Sequence, residues 1–328
     1  MVSHKPTDDK PGTTLLERGT PAQPDRPPRR GGSLDAVNDR RRLLWAAPAL
    51  AYLAVFFIYP LWLLVDTSFR EVSLGNAGQS GNPLVGTDNY RTVLADEAFR
   101  AAIPRTLIFL VATVLVQLAV GMALAVVLNQ RFRMMAIPRF LVYFVWLLPP
   151  VVSGAIWKFA LDGSEQGAVN AMLLRWGIVD EPVLFLTSPT IGLTVIAFVT
   201  AWAGIPFVAI VLTAALKDVP EELYEAAKVD GATPWRRFRS VALPSMGPTI
   251  GVLSSLLIIY SFKAFDYIFM LTQGGPGTST ATVPFLAYVV SFAQFDFGLG
   301  STIGVMSVLF ALLCASPYIV RTWKERNE

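Results

Sequence analysis

The feature that most constrains this chain is a series of apolar runs, each roughly 20 residues long, the length of helix that crosses a bilayer. In lipid every run must satisfy its own backbone hydrogen bonds, which a helix does. Strands of a membrane barrel would be about half as long and would alternate polar with apolar residues. We therefore predict an all-α membrane protein with six transmembrane helices. The predicted spans are residues 43–65, 106–128, 140–160, 191–216, 250–271 and 301–320.

Composition agrees with a membrane location. Of the 328 residues, 53% are hydrophobic and only 16% are charged, whereas soluble domains carry about 25% charged residues. Several prolines fall inside the runs, where we expect them to kink helices without ending the spans. These are Pro48, Pro60, Pro149, Pro150, Pro206 and Pro317.

The distribution of basic residues predicts the orientation. Residues 1–42 are rich in proline and charge and are predicted to form a disordered tail, not a signal peptide. Residues 43–320 form the predicted six-helix domain, and residues 321–328 a short C-terminal tail. Twenty of the 27 Lys and Arg lie in segments on the tail's side, and six lie on the other. The positive-inside rule then makes both termini cytoplasmic and explains the net charge of +3 without a nucleic-acid partner.

The chain lacks the residues that most enzymatic chemistry needs. It has one histidine, His4, and one cysteine, Cys314, whereas a zinc site takes several such ligands. No glycine-rich phosphate loop with a following lysine is present. We therefore expect no enzyme activity, no metal and no cofactor bound by this chain, so energy must come from a gradient or another subunit.

The inward loop at residues 217–247 predicts two short helices joined at a glycine. Asp218 can cap a helix that has proline and two glutamates in its first turn and runs to about Asp230. Gly231 can end that helix in the left-handed conformation. Thr233, followed by proline, can start the second helix, and Pro244 is expected to mark the return to the membrane.

This loop carries a recognisable pattern. It contains Glu225, Ala226, Ala227, Asp230, Gly231, Val241, Leu243 and Pro244. The pattern resembles the EAA motif of importer-type ABC transporter permeases, with valine at 241 where isoleucine is usual. The resemblance implies the permease fold, with a coupling helix pair between helices 4 and 5 that docks into a groove of the ATP-hydrolysing subunit. The alternative is an amphipathic pair that covers the loop and binds no partner.

Other stretches resemble the carbohydrate-uptake branch of these permeases. They are residues 47–50, 56–60, 68–69, 86–90, 129 and 262–276, with Gln273 in place of a usual glycine. The last stretch is similar to first permease subunits of the maltose and glycerol-phosphate type. The resemblance implies a bacterial plasma-membrane importer with a second homologous permease, two ATP-binding subunits and an extracytoplasmic solute-binding protein. In such importers the ATPases close on ATP and switch the spans from inward-open to outward-open.

Four polar or aromatic residues within the spans are candidates for the solute pathway. Lys263 and Asp266, three apart on a predicted helix, share a face and can pair, either along the pathway or as a structural ion pair. Gln117 faces the pathway or makes an interhelical hydrogen bond. Tyr260 could stack on a sugar, as could Trp202, Phe265 and Tyr267, or these aromatics could be packing residues.

The substrate and the energy source have alternatives. Only Lys263 offers a positive charge to the pathway, which favours a neutral oligosaccharide over glycerol 3-phosphate or another polyol. A gradient-driven transporter would show internal repeats and broken helices around ion sites, and no convincing repeat is present. An intramembrane enzyme is the weakest alternative, since Asp266 is the main acid within the spans and no histidine lies there.

Overall fold

The computed structural model describes residue 2 and residues 45–79, 81–130 and 135–325, with the side chains of 315 and 317–325 not included. The predicted tail at 1–42 therefore lies outside the described residues, apart from Val2. Helices account for the regular structure of the described part, together with two isolated bridges, Arg70–Leu84 and Ser73–Asp296. The helices are α1 (Trp45–Ser68), α2 (Asp88–Ala95), α3 (Glu97–Leu128), α4 (Ala136–Leu147), α5 (Pro150–Ala160), α6 (Ala168–Arg175), α7 (Gly192–Lys217), α8 (Glu221–Val229), α9 (Pro234–Ser245), α10 (Gly247–Phe262), α11 (Phe265–Leu271), α12 (Val283–Ala293) and α13 (Phe297–Glu325).

Four of these helices, α1, α3, α7 and α13, are long and apolar enough to cross a membrane. Two bent pairs, α4 with α5 and α9 with α10, pass the same test when each pair is taken together. The described residues thus contain four to six spans. The all-helical fold class predicted from the sequence is confirmed, and the count of six stays a prediction.

The third predicted span is broken at its two prolines, and the expectation that Pro149 and Pro150 only kink a helix was wrong. α4 ends at Leu147, and Leu148 adopts an extended conformation with ψ 127°. A residue before proline avoids the helical region, and Pro150 then occupies the first turn of α5, where proline is well tolerated. The two helices meet at 100°.

The fifth predicted span is broken as well. Ala264 has φ −71° and ψ 69°, and the N–H of Phe265 donates to the carbonyl of Lys263 at 2.7 Å, which is an inverse γ-turn. Lys263 therefore ends α10, and Asp266 lies in the first turn of α11. The prediction that Lys263 and Asp266 share one face of one helix was wrong.

Helices α3 and α7 form the centre of the fold and run parallel. Gln117 lies beside Thr200, and Gly121 lies beside Val208, so the contacts advance in the same direction along both chains. A Cβ on Gly121 would clash with the Val208 side chain, so glycine is what allows this close approach. Two parallel spans require the chain to cross back between them, and the bent α4–α5 pair is the candidate span that the described residues offer there.

Two further packed regions lie towards the ends of this pair. One buried cluster joins α3, α7 and α10 beside the loop at 217–247 and includes Leu212, Met246 and Leu253. Another joins α3, α7, α11 and α12, with Phe109 and Phe285 almost fully buried. Short helices α2, α6 and α12 fill the loops at the other end, which the apolar pattern did not predict.

The loop between α7 and α10 contains the two expected short helices, with one difference. α8 ends at Val229, and Gly231 has φ +74°, the left-handed conformation predicted for this glycine. The side chain of Thr233 accepts a hydrogen bond from the N–H of Arg236 and caps α9. The prediction that Asp218 caps α8 was wrong, since Pro220 holds the cap position and no side-chain cap bond forms there.

Candidate functional site

A cavity of about 510 Å³ lies where the two broken spans face α3 and α7. Both breaks border it, through Leu148 and Pro150 on one side and Lys263 and Ala264 on the other. Because a helix break exposes backbone groups and changes direction, it widens the space between neighbouring helices. The volume falls in the range of roughly 300–1,000 Å³ that is common for small-molecule pockets.

All four residues singled out in the sequence, Gln117, Tyr260, Lys263 and Asp266, line this cavity. They come from α3, from α10, from the turn at its end and from α11, so only the tertiary structure places them together.

Gln117 lines the cavity and carries an unsatisfied acceptor. The residue is 5% exposed, and its Nε2 donates a long hydrogen bond of 3.4 Å to the carbonyl of Thr200 on α7. Its Oε1 is buried and has no partner among the described residues. A buried acceptor without a donor costs about 1–3 kcal/mol, so a hydroxyl or water that reached this oxygen would stabilise it.

A second buried polar group belongs to the same lining. Ser261 of α10 is 4% exposed, and its Oγ also has no partner within the described chain. The lining also includes Tyr267 on α11, whose hydroxyl lies 2.9 Å from Ser153 Oγ on α5. That hydrogen bond joins the second halves of the two broken spans and holds the cavity wall in place.

Aromatic rings form another part of the lining. Trp146 stacks on Phe207 with centroids 5.9 Å apart, and Phe207 meets Tyr260 edge-on at 6.4 Å. Tyr260 is 62% exposed, so one ring face is available. Trp202 and Phe265, named above as alternatives for sugar contact, pack against other aromatic rings and are not part of the lining.

Lys263 and Asp266 contribute opposite charges to the cavity wall. Both residues are exposed. The ion pairs found within the described residues are Arg70–Asp66 and Arg91–Asp88, so Lys263 and Asp266 do not form the structural pair considered above. The lining therefore carries one positive and one negative charge, each open to solvent.

Sequence reasoning missed several members of the lining. Gly204 and Thr200 on α7, Ser261 on α10 and Trp146 on α4 belong to it. Ser261, a polar residue within an apolar run and adjacent to Tyr260, was the one available signal. Gly204 could be recognised only from its contact, because a Cβ there would clash with the amide of Gln117.

The second candidate site is the helix pair α8 with α9, which was predicted to be the coupling pair. Tyr224, Phe238 and Val241 pack onto the buried cluster beneath it and fix its position. Partial burial raises the pKa of the Tyr224 phenol above its usual value. The residues of the EAA pattern lie along this pair, with Glu225, Ala226, Asp230 and Gly231 exposed.

Apolar side chains on the outer surface of the pair are unusually accessible. Leu223 is 46% exposed, Val229 87% and Trp235 69%. Accessible apolar residues surrounded by charged ones are typical of protein interaction surfaces.

Helices long and apolar enough to cross a membrane, with a cavity lined by several of them, are consistent with a membrane transport component. The pattern of the family "binding-protein-dependent transport system inner membrane component" matches residues 117–326. The chain therefore belongs to this family, and it is a multi-pass inner-membrane permease subunit of a binding-protein-dependent importer.

Characterised relatives agree along nearly the whole chain. A sulfoquinovosyl glycerol transport system permease protein of Agrobacterium fabrum is 34% identical and covers 90% of this chain and 94% of its own length. A trehalose/maltose transport system permease protein of Thermococcus litoralis is 30% identical over 84% of this chain and 91% of its own length. A solved bacterial ABC transporter that imports the acidic polysaccharide alginate matches with a TM-score of 0.76 and 25% identity, over 89% of this chain and 99% of that one.

Proposed function

We propose that this chain is the membrane-spanning permease subunit of an ABC importer that takes up a sugar or a sugar derivative. The transport systems named for its relatives handle sulfoquinovosyl glycerol, trehalose or maltose, and alginate. The cavity carries the proposal for this chain, because it combines an exposed aromatic ring with buried, unpaired polar atoms. Sugars need both, since their C–H faces stack on rings and their hydroxyls donate and accept hydrogen bonds.

The charge balance of the cavity favours a neutral solute. Lys263 would attract an anion, but Asp266 lines the same cavity and offsets its charge. The alternative substrate, glycerol 3-phosphate, carries a phosphate that needs more positive charge than the lining supplies. We therefore place Gln117, Tyr260, Lys263 and Asp266 along the pathway of a neutral oligosaccharide.

The other components of the proposed importer include an ATPase that would engage the helix pair α8 and α9. We propose that α8 and α9 face the cytoplasm with both chain termini, and that Glu225, Ala226, Ala227, Asp230, Gly231, Leu243 and Pro244 form the surface that an ATPase subunit engages. A second homologous permease would complete the pathway, and an extracytoplasmic solute-binding protein would deliver the sugar. A solved alginate transporter, similar to this chain with a TM-score of 0.75, carries a periplasmic protein loaded with an alginate pentasaccharide. ATP is bound by the partner subunits, so this chain needs no cofactor.

The coupling geometry explains how ATP hydrolysis would reach the cavity. Gly231 sets the angle between α8 and α9, and α9 continues through Met246 into α10. The end of α10 borders the cavity at Tyr260 and Lys263. In this proposal a displacement of α8 by the ATPase would pass through α9 and α10 to the cavity wall, as alternating access requires.

The test is purification of the tagged chain from its native host, followed by identification of the proteins that copurify. Recovery of an ATPase, a second permease and a solute-binding protein is expected, and that binding protein can then be screened against sugars and glycerol 3-phosphate. Glu225→Lys and Gly231→Pro are expected to uncouple transport from ATP hydrolysis and leave membrane insertion unchanged. Glu181→Lys, a charge reversal at an exposed residue outside the coupling pair, is the matched control.

Two outcomes would contradict the proposal. Normal uptake by both coupling variants would remove the ATPase-docking role of α8. Recovery of the chain alone, with ATP-independent uptake in liposomes, would favour a gradient-driven transporter, a class that also places broken helices around its binding site.

A further inference from the structure

Helix α9 concentrates positive charge that forms no ion pair with the carboxylates of the described residues. Arg236, Arg237 and Arg239 fall within four residues, and 234–245 contains no acidic residue. In the described part of the chain, ion pairs occur at Arg70–Asp66 and Arg91–Asp88, so none of the three arginines has a carboxylate within 4.0 Å there. α8, by contrast, has two glutamates in its first turn.

An exposed tryptophan accompanies these charges. Trp235 is 69% exposed, and its ring stacks on Phe238 with centroids 5.7 Å apart and planes 27° apart. Phe238 in turn packs on the buried cluster. One ring face of Trp235 is therefore supported by the protein, while Arg236 and Arg239 beside it are exposed. Tryptophan beside arginine is typical of segments that lie at a membrane–water interface.

The orientation of α9 suits such an interface. The α9 and α10 axes meet at 68° at the buried residue Met246. If α10 runs along the membrane normal, α9 lies closer to the membrane plane than to the normal. Its 12 residues span about 18 Å, and at that angle its far end lies only roughly 7 Å further from the bilayer than its near end. Long arginine side chains reach across such a gap.

We infer that Trp235, Arg236 and Arg239 form a docking surface for the anionic phospholipid headgroups of the surrounding bilayer. Guanidinium groups bind phosphate oxygens in a bidentate manner, and negatively charged leaflets attract basic segments next to a span. The ATPase would then engage α8 together with Leu243 and Pro244 at the end of α9, while Trp235, Arg236 and Arg239 at the start of α9 rest on the lipid. The inference rests on the proposed function only for this division between the two surfaces.

The test places a fluorescent label on α9 in the full-length chain. Cys314→Ser removes the native thiol, and Ser240→Cys, at an exposed position, accepts the label. The chain is reconstituted without ATPase subunits in nanodiscs of phosphatidylcholine, alone or with roughly one third phosphatidylglycerol, each containing lipid with a nitroxide headgroup. We expect nitroxide quenching to rise about twofold or more with the anionic lipid and to fall when salt is added, because salt screens exposed charges.

Matched variants test whether the lipid dependence comes from these arginines or from positive charge in general. Arg236→Ala with Arg239→Ala is expected to abolish the rise in quenching, and Lys217→Ala with Lys228→Ala, which removes two exposed charges at or beside α8, is expected to retain it. Nitroxide quenching of a label attached at Glu222→Cys on α8 should not depend on the lipid charge. Variants that insert and elute as monodisperse protein are compared.

Three results would overturn the inference. Equal quenching in both lipids would exclude an anionic-lipid surface, and so would an unchanged rise in the double arginine variant. Loss of ATPase binding in that variant, with no lipid dependence, would assign the surface to the ATPase. Failure of the proposed function is distinguishable, because Glu225→Lys should lose the ATPase and keep the lipid-dependent quenching.

Discussion

Gly204 on α7 and Gln117 on α3 share one space beside the cavity. A Cβ on Gly204 would overlap the amide group of Gln117, so the glycine allows that side chain to extend towards the carbonyl of Thr200. The polar group and the room it needs are thus supplied by two different helices.

Gly204→Ala is therefore expected to displace the Gln117 amide, which is the flexible end of its side chain, and to destabilise the chain by about 1 kcal/mol, the low end of the usual cost of overpacking. Thermal unfolding of the solubilised chain measures this effect. Gly247→Ala is the control, because a Cβ at Gly247 meets no atom within 4 Å. Equal melting temperatures for the two variants would contradict the predicted contact.

Gln117→Leu is expected to separate stability from transport. The variant loses a weak 3.4 Å hydrogen bond and removes a buried unpaired oxygen, so stability should be unchanged or higher by about 1 kcal/mol. Uptake of the cognate solute should nevertheless fall several-fold, because the cavity loses its acceptor. Thermal unfolding and uptake are measured on the same variant, and full uptake would show that Gln117 is only a packing residue.

Substitutions at Gly231 are expected to follow backbone strain. Its φ is +74° and a Cβ would meet nothing within 4 Å, so the conformation alone requires glycine. Alanine should cost about 1–2 kcal/mol there, asparagine less because it tolerates this region, and proline should be the most disruptive because its ring fixes φ near −65°. The amount of ATPase that copurifies with each of the three variants tests this order of disruption. A greater loss of ATPase with asparagine than with alanine would contradict it.

The hydroxyls of Tyr267 and Ser153 are expected to be energetically coupled. They are 2.9 Å apart and both residues are buried. Tyr267→Phe and Ser153→Ala should each destabilise the chain by about 1 kcal/mol, and the double variant should cost less than the sum. A double-mutant cycle by thermal unfolding measures the coupling energy, and strict additivity would show that the bond contributes nothing.

The apolar periodicity predicted the helical fold well because the bilayer imposes it locally. Each long run must satisfy its own hydrogen bonds wherever it lies, so α1, α3, α7 and α13 follow from the sequence. The ends were less certain: α3 begins nine residues before the predicted start, and Pro104 lies inside it. Pro206 lies inside α7, as expected for a proline that does not end its span.

The breaks in the third and fifth spans were not predictable from hydropathy. Pro149 and Pro150 were expected to behave like Pro206, yet two consecutive prolines force an extended residue before them. The turn at Ala264 has no such marker, since alanine and its neighbours are compatible with a continuous helix. Neighbouring helices determine whether such a segment bends.

What the sequence by itself determined was local: the apolar runs, the glycine at the end of α8, the threonine cap of α9 and the motif along that loop. Each depends on residues within a few positions of one another, so composition and spacing are sufficient. Only the tertiary structure decided that Gln117, Tyr260, Lys263 and Asp266 border one cavity, that Gly204 makes room for Gln117, and that Lys263 and Asp266 stay unpaired. These relations depend on the packing of α3, α7, α10 and α11 across large distances in sequence, where the shapes of contacting side chains, not local propensity, fix the arrangement.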